Sequence, residues 1–131
     1  MTATETTTKA VGTRLVELCA QGQHRRAIEE LYADDAKAVE AVAGGPQGRE
    51  TIGKENLLAG SDWFFNAFEI HDASIDGPYP CDDEFICFMS MDLTAKEGPT
   101  AGQRMQMKEA ARYQVRDGKI VKSIFYYDPG C

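Results

Sequence analysis

"GQRMQMKEAARYQVRDGKIV", residues 102–121, is the stretch on which the fold turns. Met105, Met107, Glu109, Ala111, Tyr113 and Val115 alternate with Arg104, Gln106, Lys108, Ala110, Arg112, Gln114 and Arg116. A period of two belongs to a strand with one row on a core and the other in water. Asp117-Gly118 then marks a tight hairpin, and Ile120 to Asp128 is predicted to return as the next strand. Glu109 falls in the apolar row. A carboxylate there must be paired, hydrogen-bonded or protonated. Burial raises its pKa, which suits a general acid or base. An arginine or a backbone amide near the strand end would satisfy it equally well, and the residues leave both readings open.

Phe85 to Leu93 reads as a strand, apolar on both faces until Ser90 and Asp92. Glu69 to Ile75 reads as another, closed by a turn at Asp76-Gly77-Pro78. The first half of the chain is helical. Thr2-Ala3-Thr4-Glu5 has the form of a capping box. Val11, Leu15, Leu18 and Cys19 recur at helical spacing, and Gly22 ends that helix. A second helix carries Ala27, Ile28, Leu31 and Tyr32 on one face. Gly44-Gly45-Pro46-Gln47-Gly48 is a loop, and a third helix is predicted from Ile52 to Phe68. Three helices followed by a strand meander predict one α+β domain over residues 1–131. A bent antiparallel sheet folded around the helices leaves a concave face that can enclose a pocket.

"LYADDAKAVEAVAGG", residues 31–45, holds a second carboxylate of interest. If residues 37–42 are extended, Ala38, Glu40 and Val42 share one face, and Lys37, Val39 and Ala41 the other. The lysine points its own face outward, which turns Glu40 inward; a solvated or capping glutamate is the alternative. Asp34 and Asp35 oppose the dipole of a preceding helix, so they are expected to begin a turn. His71 shares a strand face with Ala73 and Ile75, either as a structural residue or as a catalyst. Trp63, Phe64, Phe65, Met89 and Met91 suit a core, and methionines also suit an adaptable cavity wall.

The 131 residues include 43% hydrophobic ones, enough for one globular core. A net charge of −7 repels phosphate backbones and anionic bilayers, so neither nucleic acid nor a membrane is an expected partner. No run is long and apolar enough to span a bilayer, and the N-terminus lacks the pattern of a signal peptide. Cys19, Cys81, Cys87 and Cys131 form no C-x-x-C pair, and are expected to be reduced thiols in a cytoplasmic protein. With two histidines, no nucleotide-binding glycine motif and no nucleophile elbow, no metal and no cofactor is expected.

Together, "LYADDA", "GKENLLAGSDWFFNAFEIH", "FICFMSMDLT", "GQRMQMKEAARYQVRDGKIV" and the terminal "FYYD" resemble the SnoaL-like branch of the nuclear transport factor 2-like superfamily. The resemblance covers nearly the whole chain and is closest to small bacterial SnoaL-like proteins of unknown function. It implies a cone-shaped α+β fold, with three helices packed in a strongly curved sheet, an enclosed apolar pocket, and dimers formed through the sheet. Polyketide cyclases, ketosteroid isomerases, scytalone dehydratase and limonene epoxide hydrolase share this fold and no common reaction. Ketosteroid isomerases carry their catalytic aspartate a few residues after the "ADDA" motif, where Glu40 stands here. Their oxyanion tyrosine and aspartate fall near Leu15 and Ala111, so both donors are missing. The acid of SnoaL-type cyclases has its nearest counterpart in Glu109. By the same comparison Phe85, Cys87, Met89 and Met91 face inward, as do Ser123, Phe125 and Tyr127.

These readings predict a pocket for a small hydrophobic, cyclic molecule. Glu109, Glu40 and His71 are the candidate catalytic groups. Trp63, Cys87, Met89, Met91, Met107, Tyr113, Phe125 and Tyr127 are the candidate substrate contacts. The expected function is cofactor-independent acid–base chemistry of an isomerase, cyclase or dehydratase type; the alternatives are a non-catalytic ligand-binding module and an interaction module. Ile86, Phe88, Ile124 and Tyr126 have outward parity and form an apolar patch, assigned first to a homodimer.

Overall fold

The computed structural model describes residues 3–43 and 48–128. The predicted capping box at Thr2, most of the loop at 44–47 and Cys131 lie outside the described residues. Helix α1 (Ala3–Ala20) and helix α2 (His24–Leu31) come first. Val11, Leu15 and Leu18 of α1 are buried at the predicted spacing. Gly22 closes α1 as expected, with Gln23 N–H bonded to the Leu18 carbonyl at 2.8 Å and Gly22 N–H to that of Cys19 at 3.0 Å.

Strand β1 (Tyr32–Val39) follows α2 directly. Asp34 and Asp35 are therefore exposed strand residues, not the start of a turn. Strand β2 (Glu50–Ile52) pairs with β1, Ile52 opposite Lys37. This pairing takes Ile52 out of the predicted third helix. Gly53 N–H bonds the Ala36 carbonyl at 2.8 Å, and helix α3 starts only afterwards (Lys54–Ala67).

The rest of the chain is the expected meander: β3 (Phe68–Cys81), β4 (Glu84–Ala95), β5 (Arg104–Arg116) and β6 (Lys119–Tyr126). Asp117 and Gly118 have φ of 52° and 77°, as the two central residues of a tight hairpin require. The predicted turn at Asp76-Gly77-Pro78 is instead an irregularity inside β3, between Asp76 and Tyr79, and β3 runs on to Cys81. Gly77 has φ +138°, and a Cβ there would stand 3.0 Å from the Ile86 carbonyl, so only glycine lets β3 pass so near β4.

One six-stranded sheet results, in the order β2-β1-β6-β5-β4-β3. It is mixed, not antiparallel throughout: β1 runs parallel to β6 and the other neighbours are antiparallel. The strand between the helices causes this, because its connection from α2 enters the sheet beside β6. The core lies between the helices and the inner sheet face, with Leu15, Leu18, Phe85, Cys87, Tyr113 and Ile120 almost without exposure. Helix α1 crosses β3 so closely that a Cβ on Gly12 would meet the Pro78 ring at 2.7 Å. No helix among the described residues is long and apolar enough to cross a membrane.

Candidate functional site

The inner sheet face builds the site row by row. Ala38 of β1, Ser123 of β6, Tyr113 of β5 and Phe85 of β4 are register partners across four strands. Phe125, Ala111 and Cys87 form the next row. One step further, Glu109 stands opposite Met89. Glu40 and Tyr127 lie just beyond the last paired residues of β1 and β6 and keep the parity of their strands. The alternation in residues 105–115 and 38–42 is therefore read correctly from the sequence: both glutamates face inward.

Between this face and helices α1, α2 and α3 lies a cavity of about 380 Å³. Glu40, Glu109, Trp63, Met89, Met91, Met107, Tyr113, Phe125 and Tyr127 all line it. One predicted contact, Cys87, and one catalytic candidate, His71, do not. Cys87 faces inward but is fully buried in the core, its Sγ packed close to Gly77. His71 is the extra residue of a bulge, since Ile70 pairs with Leu93 and Asp72 with Asp92. That insertion breaks the parity with Ala73 and Ile75. His71 is exposed, and its Nε2 lies 2.7 Å from Thr94 Oγ1.

The two carboxylates occupy one end of the cavity. The Tyr127 hydroxyl donates to Glu40 Oε2 at 3.1 Å. Arg49 holds the Glu40 backbone: its carbonyl accepts the Glu40 N–H at 2.8 Å, and its Nε donates to the Glu40 carbonyl at 3.1 Å. The guanidinium therefore reaches the main chain and not the carboxylate. Burial raises the Glu40 pKa, and the Tyr127 hydroxyl partly offsets that. Burial, reinforced by the charge of Glu40, pushes Glu109 up to about 7. Burial and the neighbouring Glu40 carboxylate push the Tyr127 hydroxyl to about 12, so it stays a donor at neutral pH.

A second polar group lies at the other end. Tyr32 and Tyr113 are buried and their hydroxyls are neutral, their pKa values raised by desolvation. Ser123 lies beside them, has no exposure, and its Oγ has no hydrogen-bond partner of good geometry among the described residues. Tyr32 was read as a core residue of α2 in the sequence; only its place at the start of β1 brings it here. His24 was missed entirely. It lines the cavity stacked on Phe65, ring centres 4.6 Å apart, and burial lowers its pKa. Its stacking on Phe65 is a contact between α2 and α3, separate elements whose approach periodicity does not reveal. Among the described residues no group of three or more His, Cys, Asp or Glu is placed to hold a metal ion.

The model of the SnoaL-like domain family matches residues 6–127. The chain belongs to the SnoaL-like family. A Mesorhizobium loti protein provisionally named a SnoaL-like polyketide cyclase, a name that also carries the words carbohydrate phosphatase, is 35% identical. The match covers 90% of this chain and 97% of that one, with a TM-score of 0.83. A Jannaschia protein with the same provisional cyclase name is 14% identical over 98% of this chain and 90% of its own, TM-score 0.77. A Catenulispora acidiphila protein with a ketosteroid isomerase-like fold, solved in complex with trimethylamine, is 18% identical over 89% and 85%, TM-score 0.69. At those identities the last two show the fold alone. No curated protein matches the sequence. The SnoaL-like fold is thus the α+β arrangement that residues 102–121 pointed to.

Proposed function

We propose that this SnoaL-like domain is a cofactor-independent acid–base enzyme acting on a small hydrophobic, cyclic molecule with an enolisable carbonyl. The observation that carries the reading is the inward pair Glu40 and Glu109 in a largely apolar cavity. A glutamate whose pKa is about 7 is half ionised at neutral pH, the condition under which a carboxyl both takes and returns protons. Glu109 removes a proton from the carbon beside the carbonyl. The C–H electrons move into the ring and the carbonyl π electrons onto its oxygen. Where a carbon–carbon double bond extends the enolate, return of the proton at its far carbon completes an isomerisation; attack of the enolate carbon on a second carbonyl of the same molecule, with the proton delivered to the new alkoxide, completes a cyclisation. Glu40, fixed by Tyr127 and Arg49, is the second proton site. A paired anionic cavity repels phosphate, which argues against phosphatase chemistry. The Catenulispora complex supports the smaller statement that this fold can enclose a small organic molecule.

The test is proton exchange at carbon in a panel of cyclic ketones in D2O, followed by NMR. Wild type is expected to accelerate exchange for some member, and Glu109→Gln to lose about two orders of magnitude or more. Exchange equal in wild type and Glu109→Gln for every member would remove Glu109 from the mechanism.

The proposal includes a homodimer through the outer sheet face. Tyr79 of β3, Ile86 and Phe88 of β4 and Tyr126 of β6 are 52%, 37%, 51% and 48% exposed, large values for apolar side chains on one sheet face. Phe88 and Tyr126 flank Ala110 across the sheet, and the Tyr79 ring packs edge-on to Phe88 at 5.8 Å. Ile124 is only half-exposed. The free thiols of Cys19, Cys81 and Cys87 fit a reducing compartment such as the cytoplasm.

A further inference from the structure

The cavity has two carboxylates and no lysine or arginine among its described lining residues. The titratable groups that line the cavity with Glu109 are Glu40, Tyr127, Tyr113, Tyr32, Cys19 and His24, of which Glu40, Tyr113 and Tyr127 interact with it electrostatically. Of these only His24 can carry a positive charge, and its burial against Phe65 disfavours that form. Arg49, the cation bonded to the Glu40 backbone, is turned to the main chain, and Lys37 pairs with Glu50. Two neighbouring half-buried carboxylates with no counter-ion among the cavity's described lining residues are costly as a dianion, so the site gains from whatever positive charge enters it.

The walls favour the same kind of guest. Trp63, Phe64, Phe68, Phe125 and Tyr127 line the cavity, and aromatic ring faces attract organic cations. The volume of about 380 Å³ lies in the usual range for small-molecule sites. At the opposite end, Ser123 Oγ is fully buried beside the Tyr32 hydroxyl and lines the same space. Tyr113 and Glu109 lie on one face of β5, four residues apart, so the two polar ends are separated by about 13 Å of strand.

We propose that the cavity is built for a hydrophobic amine: a tertiary or quaternary ammonium at the Glu40–Glu109 end, an apolar body against the aromatic walls, and an oxygen function at Tyr32, Tyr113 and Ser123. The inference rests on the acid–base reading for its site, and names the substrate class. One carboxylate pairs with the ammonium while the other moves the proton.

The test compares two probes of equal shape, benzyltrimethylammonium chloride and its neutral carbon isostere neopentylbenzene, by NMR-detected titration of the full chain. At about pH 8.5, where Glu109 is ionised, the cation is expected to bind roughly tenfold more tightly than the isostere. Its affinity falls below about pH 7, as a proton takes the place of the cation on Glu109. Glu40→Gln and Glu109→Gln each weaken the cation several-fold and leave the isostere nearly unchanged, which also shows that the cavity is intact. If either variant fails to fold, the pH series on wild type carries the same test. Equal or tighter binding of the isostere, no cation binding at millimolar concentration, or a cation affinity indifferent to pH and to both substitutions overturns the proposal. Ketone exchange is measured separately, so the catalytic reading and the ammonium reading can fail independently.

Discussion

Tyr127 and Glu40 are 87 residues apart and joined by one hydrogen bond of 3.1 Å from the tyrosine hydroxyl to Oε2. Parallel pairing of β1 with β6 makes that contact, because Ala38 opposite Ser123 and Val39 opposite Ile124 carry the next residues of both strands over the same end of the cavity. The bond selects the ionised form of Glu40 against the burial that opposes it. Tyr127→Phe is expected to raise the Glu40 pKa further and to cost about 1–2 kcal/mol near neutral pH. Carboxyl-carbon NMR titration of wild type and variant measures the first, and urea unfolding the second. An unchanged Glu40 titration would mean that the bond does not form in solution.

Glu109 sets a pH dependence of stability. Its folded pKa of about 7 lies above the roughly 4.3 of an unfolded glutamate. The protonated form is the one the fold favours, so this stabilising contribution is full below about pH 4 and is lost as pH rises through 7. The loss at alkaline pH is at most about 4 kcal/mol. Glu109→Gln removes the ionisation, so the variant should match wild type near pH 4 and exceed its stability by about 2–3 kcal/mol at pH 8.5. Denaturant melts at the two pH values read this directly; parallel stability curves for the two proteins would place Glu109 in water.

Gly12 marks the closest approach of α1 to β3. A methyl group there meets the Pro78 ring at 2.7 Å, and Pro78 sits on backbone that cannot yield easily. Gly12→Ala would ordinarily favour a helix by about 1 kcal/mol. Here the overlap is expected to win, with a net destabilisation of about 1–3 kcal/mol in urea melts. A stabilised variant would show that α1 can lift off β3 without loss.

Phe88 is the most central exposed side chain of the outer patch, half in water with Tyr79 against it and Tyr126 two strands away. Phe88→Asp puts a charge into the proposed dimer face and leaves the inner face untouched. Sedimentation at micromolar concentration should give a dimer for wild type and a monomer for the variant, with the same thermal unfolding in dilute solution. A monomeric wild type would end the homodimer reading.

The alternation in residues 105–115 carried Glu109, Met107 and Tyr113 to the inner face with no help from the rest of the chain. The Asp117-Gly118 hairpin was legible for the same reason: both depend on neighbours in sequence. His71 was misplaced because a single bulged residue reverses parity, and a bulge has no signature in an isolated strand. Ile52 was taken for helix because its pairing with Lys37 is a contact between separate elements. The turn read at Asp76-Gly77-Pro78 was absorbed into β3 because the extensive pairing with β4 on both sides of it outweighs a local preference for turning.

By itself the sequence determined which side chains alternate, where one hairpin turns, and that a carboxylate shares a row with methionines and a tyrosine. Those are consequences of backbone period and local sterics. Only the tertiary structure decided that Glu40 and Glu109 meet in one cavity, that Tyr127 caps one of them, that Tyr32, Tyr113 and Ser123 gather at the far end, and that no lysine or arginine among the described residues joins them. Each of those contacts closes a long loop of chain, and such closure depends on the packing of every strand and helix between its ends.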